Sequence, residues 1–130
     1  LGRVRDALNP LVEGEIEMRG QTDLTIDGRK FSGNAQKRKR HALLFHGTLL
    51  LDFELGLIET YLRMPSKQPD YRDGRGHSDF VTNLNLPAAK VAEALRETGG
   101  ALETSDEMPA AEVERLVREK YSLDAWNLRR

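Results

Sequence analysis

Apolar and polar positions alternate along Val12-Glu13-Gly14-Glu15-Ile16-Glu17-Met18, which predicts an extended piece; the residues before it give no clear period. The next pattern is sharper. Thr22 to Ile26 and Arg29 to Ser32 flank Asp27-Gly28, a dipeptide suited to a two-residue hairpin turn. If Ile26 pairs with Arg29, then Thr25 faces Lys30, Leu24 faces Phe31 and Asp23 faces Ser32. Leu24, Ile26 and Phe31 then share an apolar face, and Asp23, Thr25, Lys30 and Ser32 share a polar one on which Asp23 and Lys30 are diagonal neighbours.

The basic run Gln36-Lys37-Arg38-Lys39-Arg40-His41 reads as a loop feeding an apolar stretch, Ala42 to Leu51. That stretch predicts a strand covered on both sides, with His46 and Thr48 on one face and Leu43, Phe45, Leu49 and Leu51 on the other. Asp52 is placed to cap a helix from Phe53 to Arg63 carrying Leu55, Ile58 and Leu62 on one side. A polar loop rich in Pro and Gly follows from Met64 to Asp79, then a short strand from Phe80 to Leu84. Pro87 opens a helix whose stripe is Ala88, Val91, Ala92 and Leu95, ending at Gly99-Gly100. Pro109 opens another, with Val113, Leu116, Val117 and Lys120/Tyr121 facing inward, and the amphipathic tail Tyr121 to Trp126 is expected to dock on the body.

Length and charge narrow this picture. At 130 residues the chain suits one domain, residues 1–130, with one core. A net charge of -1 argues against a general nucleic-acid or membrane binder, and no apolar run approaches the roughly 20 residues that span a bilayer. The absence of cysteine removes disulfides, thiolate metal sites and cysteine nucleophiles from these residues, and leaves the compartment undecided. The chain starts at Leu1 rather than Met and shows no signal peptide, so a fragment of a longer protein is expected.

Several chemistries fail on spacing. His41 and His46 would point to opposite faces of one strand, and His77 stands alone in a loop, which disfavours a transition-metal site. Gly28 to Gly33 has the glycine spacing of a phosphate loop, but Asn34-Ala35 stands where a Lys and a Ser or Thr are required. No Gly-x-Ser-x-Gly is present. The run Lys37 to Arg40 reads either as a solvated loop or as a patch for phosphate or an acidic partner, without interleaved aromatics to stack bases. On the polar hairpin face, a lysine beside an aspartate, next to Ser32-Gly33-Asn34-Ala35, could hold a phosphate or carboxylate where small residues admit a ligand. His46-Gly47-Thr48 would add a second close approach. An ordinary surface hairpin with an incidental salt bridge fits the same residues.

The run Asp23-Leu24-Thr25-Ile26-Asp27-Gly28-Arg29-Lys30-Phe31-Ser32-Gly33-Asn34-Ala35-Gln36, followed by His46-Gly47-Thr48-Leu49-Leu50-Leu51, closely resembles the core of lipoate–protein ligases, members of the biotin/lipoate protein ligase superfamily. Gln68-Pro69-Asp70-Tyr71-Arg72, Arg75-Gly76-His77, Phe80-Val81-Thr82-Asn83-Leu84 and Lys120-Tyr121-Ser122 with Trp126 look like later parts of the same family, so the resemblance covers roughly residues 20 to 128. It implies an α+β fold, with a mixed or antiparallel sheet flanked by helices in the class II synthetase/biotin–lipoate ligase manner. It also implies a cytoplasmic enzyme that uses ATP and Mg²⁺ to convert lipoate to lipoyl-adenylate. The acyl group would then pass to a lysine of a lipoyl carrier, either a 2-oxoacid dehydrogenase acyltransferase subunit or the glycine-cleavage H protein.

By this resemblance Lys30 is the catalytic lysine that contacts the ligand carboxyl and the α-phosphate, where it would stabilise developing oxyanion charge. Asp23 matches the acidic residue near the nucleotide and is a candidate Mg²⁺ ligand. Ser32, Gly33 and Ala35 would line the ligand, with His46, Gly47 and Thr48 as the adjoining wall. The family's upstream arginine- and glycine-rich loop is absent from this segment, so a second chain or an N-terminal half is expected to supply it. Related octanoyl transferases use a cysteine, and these residues contain none. The alternatives are ATP-independent octanoyl or lipoyl transfer and a non-catalytic carrier-binding module, with biotin a weaker alternative substrate.

Overall fold

A computed structural model describes residues 1–101, 103, 105 and 107–129. Strands β1 (Ile16–Arg19), β2 (Asp23–Ile26) and β3 (Arg29–Lys30) form an antiparallel sheet in that order. The β2–β3 turn places both Asp27 (φ 51°) and Gly28 (φ 69°) in the left-handed region, the geometry whose twist matches the flanking strands. Ile26 lies opposite Arg29 and Thr25 opposite Lys30, the expected register.

The ladder then changes. The Phe31 N–H still donates to the Leu24 carbonyl (3.1 Å), but the Leu24 N–H donates to the Ser32 hydroxyl (2.8 Å) instead of a backbone oxygen. Asp23 therefore does not pair with Ser32, as the hairpin pattern had suggested. Ser32 instead opens β4 (Ser32–Arg38), which pairs antiparallel with β5 (Leu43–Leu49) from Ser32 opposite Leu49 to Arg38 opposite Leu43.

Other expectations are corrected as well. Gln36, Lys37 and Arg38 lie within β4, because strand pairing uses backbone groups and tolerates a row of cations. β5 is not covered on both sides: Leu43 and Leu44 are 58% and 60% exposed. The helix expected over 53–63 shrinks to α2 (Gly56–Tyr61), and Asp52 does not cap it. Asn83 explains this by clamping the Phe53 backbone outside the helix, accepting from its N–H (3.0 Å) and donating to its carbonyl (2.8 Å). Phe80 closes a short helix, α3 (His77–Phe80), and the following residues are extended without a full ladder. Val81 bridges Lys30 in parallel, and the Thr82 and Leu84 N–H groups donate to the Lys30 and Leu50 carbonyls, both at 2.9 Å.

The core lies where α1 (Gly2–Leu8) and α4 (Ala88–Gly99) pack beside the first sheet. Leu8, Ile16, Leu24, Phe31, Leu84 and Val91 form one buried cluster. Full burial of Leu24 and Phe31 contributes about 2–3 kcal/mol each, and it anchors the hairpin from behind. α1 gave no periodic signal; α4 ends at Gly99-Gly100 as expected, but of its stripe only Val91 is buried and Leu95 partly so, while Ala88 and Ala92 are exposed. Beyond it lie α5 (Ala110–Leu116), a π-helical turn (Val117–Tyr121) and α6 (Asp124–Asn127). Their expected inner face is not buried: Val113, Val117 and Tyr121 are nearly half exposed. Tyr121 packs edge-on against Trp126 (centroids 5.3 Å) rather than into the body. Among the described residues no helix is long and apolar enough to cross a membrane.

Candidate functional site

Lys30 ends β3, and its Nζ lies 2.7 Å from Asp23 Oδ1, with the two side chains 26% and 13% exposed. The pairing follows from the register: Lys30 sits opposite Thr25, two positions from Asp23 on the same polar face. That face is not open surface. Thr25 and Ser32 on it are fully buried, and part of the polar loop folds back across it.

The loop is held as a strap. A 3₁₀ turn over Asp70–Arg72 places the Tyr71 hydroxyl to donate to Asp23 Oδ2 at 2.7 Å. Arg75 Nη2 donates to the Gly28 carbonyl (3.1 Å) at the hairpin turn and to the Tyr71 carbonyl (2.9 Å). Tyr71 and Phe80 rings meet at 5.3 Å, and the Arg72 and Arg75 guanidinium groups stand 4.6 Å and 5.4 Å from the Phe80 ring. Arg29 secures the other side through the Ser78 (2.9 Å) and Val81 (2.7 Å) carbonyls. The Tyr71 phenol is raised above its ordinary ionisation range, by burial first and then by its hydrogen bond to Asp23 and that carboxylate's charge. It is therefore a hydrogen donor at neutral pH.

Beside this constellation a cleft of about 610 Å³ opens between Gly20–Asp23 and Lys67–Tyr71, a size suited to a small ligand. Asp23 and Tyr71 belong to its walls; Lys30 lies outside that lining.

The β4–β5 pairing brings the other expected residues together. Gly33 is opposite Thr48, Ala35 opposite His46, and Asn34 opposite Gly47. Gly33, Ala35, His46 and Thr48 thus share one face of the hairpin. Gly47 has a steric reason to be glycine, since a Cβ there would sit 2.9 Å from the Gly33 carbonyl oxygen and 3.0 Å from Asn34 Cγ. Asn34 joins this hairpin to the Lys30 end, donating to the Thr22 carbonyl (2.6 Å) and to Ser32 Oγ (3.1 Å). Ser32 Oγ accepts from both Asn34 and Leu24, so its oxygen locks the strand junction and only its proton is left for a ligand.

The magnesium role expected of Asp23 does not fit these residues. Both carboxylate oxygens are taken, one by an ammonium and one by a phenol, and a divalent cation there would lie against Lys30. No cluster of three His, Asp or Glu side chains placed to hold a metal occurs among the described residues. Sequence reasoning missed three residues of the site: Tyr71, Arg75 and Asn34. All three lie within runs that carry the family resemblance, and nothing local signals their partners.

The family model for the lipoyl protein ligase A/B catalytic domain matches residues 2–99. The chain is 30% identical over 123 residues to an octanoyltransferase, LipM, of Brevibacillus brevis, an alignment that covers 83% of this chain and 44% of the relative. Among solved structures it resembles a lipoate-protein ligase A bound with ATP, at a TM-score of 0.78 and 19% identity, covering 96% of this chain and 55% of that one. It also resembles a structure from an archaeal lipoylation system, a bi-partite lipoate protein ligase and its E2 lipoyl domain from Thermoplasma acidophilum. That likeness has a TM-score of 0.70 and 22% identity over 95% of this chain and 54% of that one. These structural likenesses show a shared α+β fold. The chain spans about half the length of the proteins it matches.

Proposed function

We propose that this chain, which belongs to the lipoyl protein ligase A/B catalytic-domain family, carries the part of an acyl-attachment site in which Lys30 grips the activated acyl group. The observation that supports this most is the state of Lys30. One N–H of its ammonium is taken by Asp23, the side chain is a quarter exposed, and among the described residues no partner takes the other two N–H groups, which remain to donate. A fixed ammonium of this kind stabilises negative charge on a carbonyl oxygen under attack and on a phosphate oxygen beside it.

The first reading is ATP-dependent attachment of lipoate, in a cytoplasmic setting. A lipoate oxygen attacks the α-phosphorus of ATP and pyrophosphate leaves. The amine of a carrier lysine then attacks the acyl carbonyl, loses a proton, and expels AMP to leave an amide. Lys30 would hold the carbonyl and phosphate oxygens in both steps. Gly33, Ala35, His46 and Thr48, on their shared face, would bound the acyl group, while Ser32 and Gly47 lie on the opposite face of the same hairpin. Carrier partners would be lipoyl domains of 2-oxoacid dehydrogenase acyltransferase subunits or the glycine-cleavage H protein, and the rest of the catalytic domain would come from a second polypeptide or segment.

A second reading, octanoyl transfer between carriers, is favoured by the name of the Brevibacillus relative. Because these 130 residues contain no cysteine, a cysteine-borne acyl intermediate would have to be supplied by the remaining polypeptide. One experiment addresses both readings. The chain is combined with the polypeptide that completes its domain and offered an apo lipoyl domain, with either lipoate plus ATP or an octanoyl carrier. Mass gain on the lipoyl domain with ATP-to-pyrophosphate exchange supports the first, and gain without ATP supports the second. Lys30→Ala should abolish either gain while far-UV circular dichroism is unchanged; full transfer by that variant would refute the role of Lys30.

A further inference from the structure

An aspartate beside a lysine can hold it in several ways. With both carboxylate oxygens free it can swing, or chelate two of the ammonium hydrogens, and either outcome leaves the cation less available to a ligand. In this chain the second oxygen of Asp23 is claimed from 48 residues downstream by the Tyr71 hydroxyl at 2.7 Å, while the first meets Lys30 Nζ at 2.7 Å. Tyr71 is itself immobilised at three points: its ring on Phe80, its carbonyl on Arg75, and, through Arg75, the Gly28 carbonyl at the hairpin turn. The strap thus grips the hairpin at its turn and at the Asp23 end. The phenol donates throughout the neutral range, since burial and the adjacent carboxylate both oppose its ionisation.

We propose that Tyr71 is a positioning residue for Lys30: by fixing Asp23 in a one-oxygen grip, it holds the lysine ammonium in place with two N–H groups left for the acyl ligand. This rests on the reading of Lys30 as the acyl-gripping residue. It adds a role for the strap that neither the register nor the glycine pattern of the hairpin contains. The effect is one of geometry, and displacement of a catalytic group by a fraction of an ångström is costly to rate.

The test uses the chain with its completing polypeptide, with Y71F, D23N, the double variant and K30A measured in the acyl-transfer assay. Y71F keeps the ring on Phe80 and removes one oxygen. Its kcat should fall about tenfold with KM within about twofold, the signature of an interaction realised in the transition state. D23N should lose at least as much, and adding Y71F to D23N should cost nothing further, because the phenol acts through the carboxylate. Wild-type kcat in Y71F, or losses that multiply in the double variant, would overturn the inference while K30A remains inactive. Full activity in K30A would instead overturn the reading on which it rests. Should Y71F lose its fold by circular dichroism, D23N decides alone, and wild-type kcat there removes the role.

Discussion

The close pairing of β4 and β5 at Gly47 offers a sharp test of how the site is built. A Cβ built on Gly47 meets the Gly33 carbonyl oxygen at 2.9 Å and Asn34 Cγ at 3.0 Å, and it lies closer still to Asn34 Oδ1. Asn34 must therefore leave, losing its bonds to the Thr22 carbonyl and Ser32 Oγ. Those bonds are worth about 1 kcal/mol each, and easing the strand away from the Gly33 oxygen costs about 1 more, so Gly47→Ala should destabilise by about 3 kcal/mol. Gly33→Ala is the matched control: its Cβ would meet Thr48 Oγ1 at 3.4 Å, and the change should stay within about 0.5 kcal/mol.

In urea unfolding followed by circular dichroism, with a slope of about 1.5 kcal/mol per molar, the Gly47→Ala midpoint should drop by about 2 M. Asn34→Ala alone should cost about 2 kcal/mol, and combining it with Gly47→Ala should cost less than the sum, because the clash partner is gone. A Gly47→Ala midpoint within about 0.3 M of wild type, or equal losses in Gly47→Ala and Gly33→Ala, would refute the reasoning.

Tyr71 links stability to pH. The unfolded chain releases the phenol proton near the ordinary value of 10.0, whereas the folded chain holds it to higher pH. The contribution is fully present below pH about 10 and is lost as pH rises, so the wild-type melting temperature should fall more steeply than that of Tyr71→Phe between about pH 10 and 11.5; parallel curves would contradict this. Gly28→Ala should cost about 1 kcal/mol in urea unfolding, because its φ of 69° disfavours a Cβ even though nothing stands within 4 Å; an unchanged midpoint would show that the turn relaxes. Lys37, Arg38, Lys39 and Arg40 form no ion pair among the described residues, so Lys37→Glu/Lys39→Glu should alter stability by less than about 0.5 kcal/mol, and a larger loss would reveal packing of their stems.

Local rules made the β2–β3 hairpin legible. Asp27-Gly28 fixed the turn, and a period of two then placed Asp23 diagonal to Lys30, as the 2.7 Å ion pair confirms. The bounds of α4 were readable for a similar reason, between Pro87 and Gly100, although only Val91 and Leu95 of its expected stripe turn inward. The misses share a different physics. β4 continues through a cationic run because its ladder depends on β5, and no local period announces a strand paired across a loop. The helix after Asp52 is cut short by Asn83, some 30 residues away. The Tyr71 and Arg75 bonds span 48 and 47 residues, so the strap could be seen in sequence only as a polar loop. Half of the Lys30 site was thus readable from register, and the half that holds Asp23 required the tertiary fold.

β5 has a further physical consequence. Leu43, Leu44 and Phe45 are exposed, and among the described residues its outer edge has no strand beside it. An uncharged, apolar edge with vacant N–H and C=O groups is a template for another strand, as adhesive to a copy of itself as to a proper neighbour. The cations of Lys37 to Arg40 sit at the tip of the same hairpin, where like charges repel when two copies align. They are placed to act as gatekeepers for that edge when copies align tip to tip, so raising the salt, which screens the repulsion, should bring the chain closer to aggregation rather than further from it.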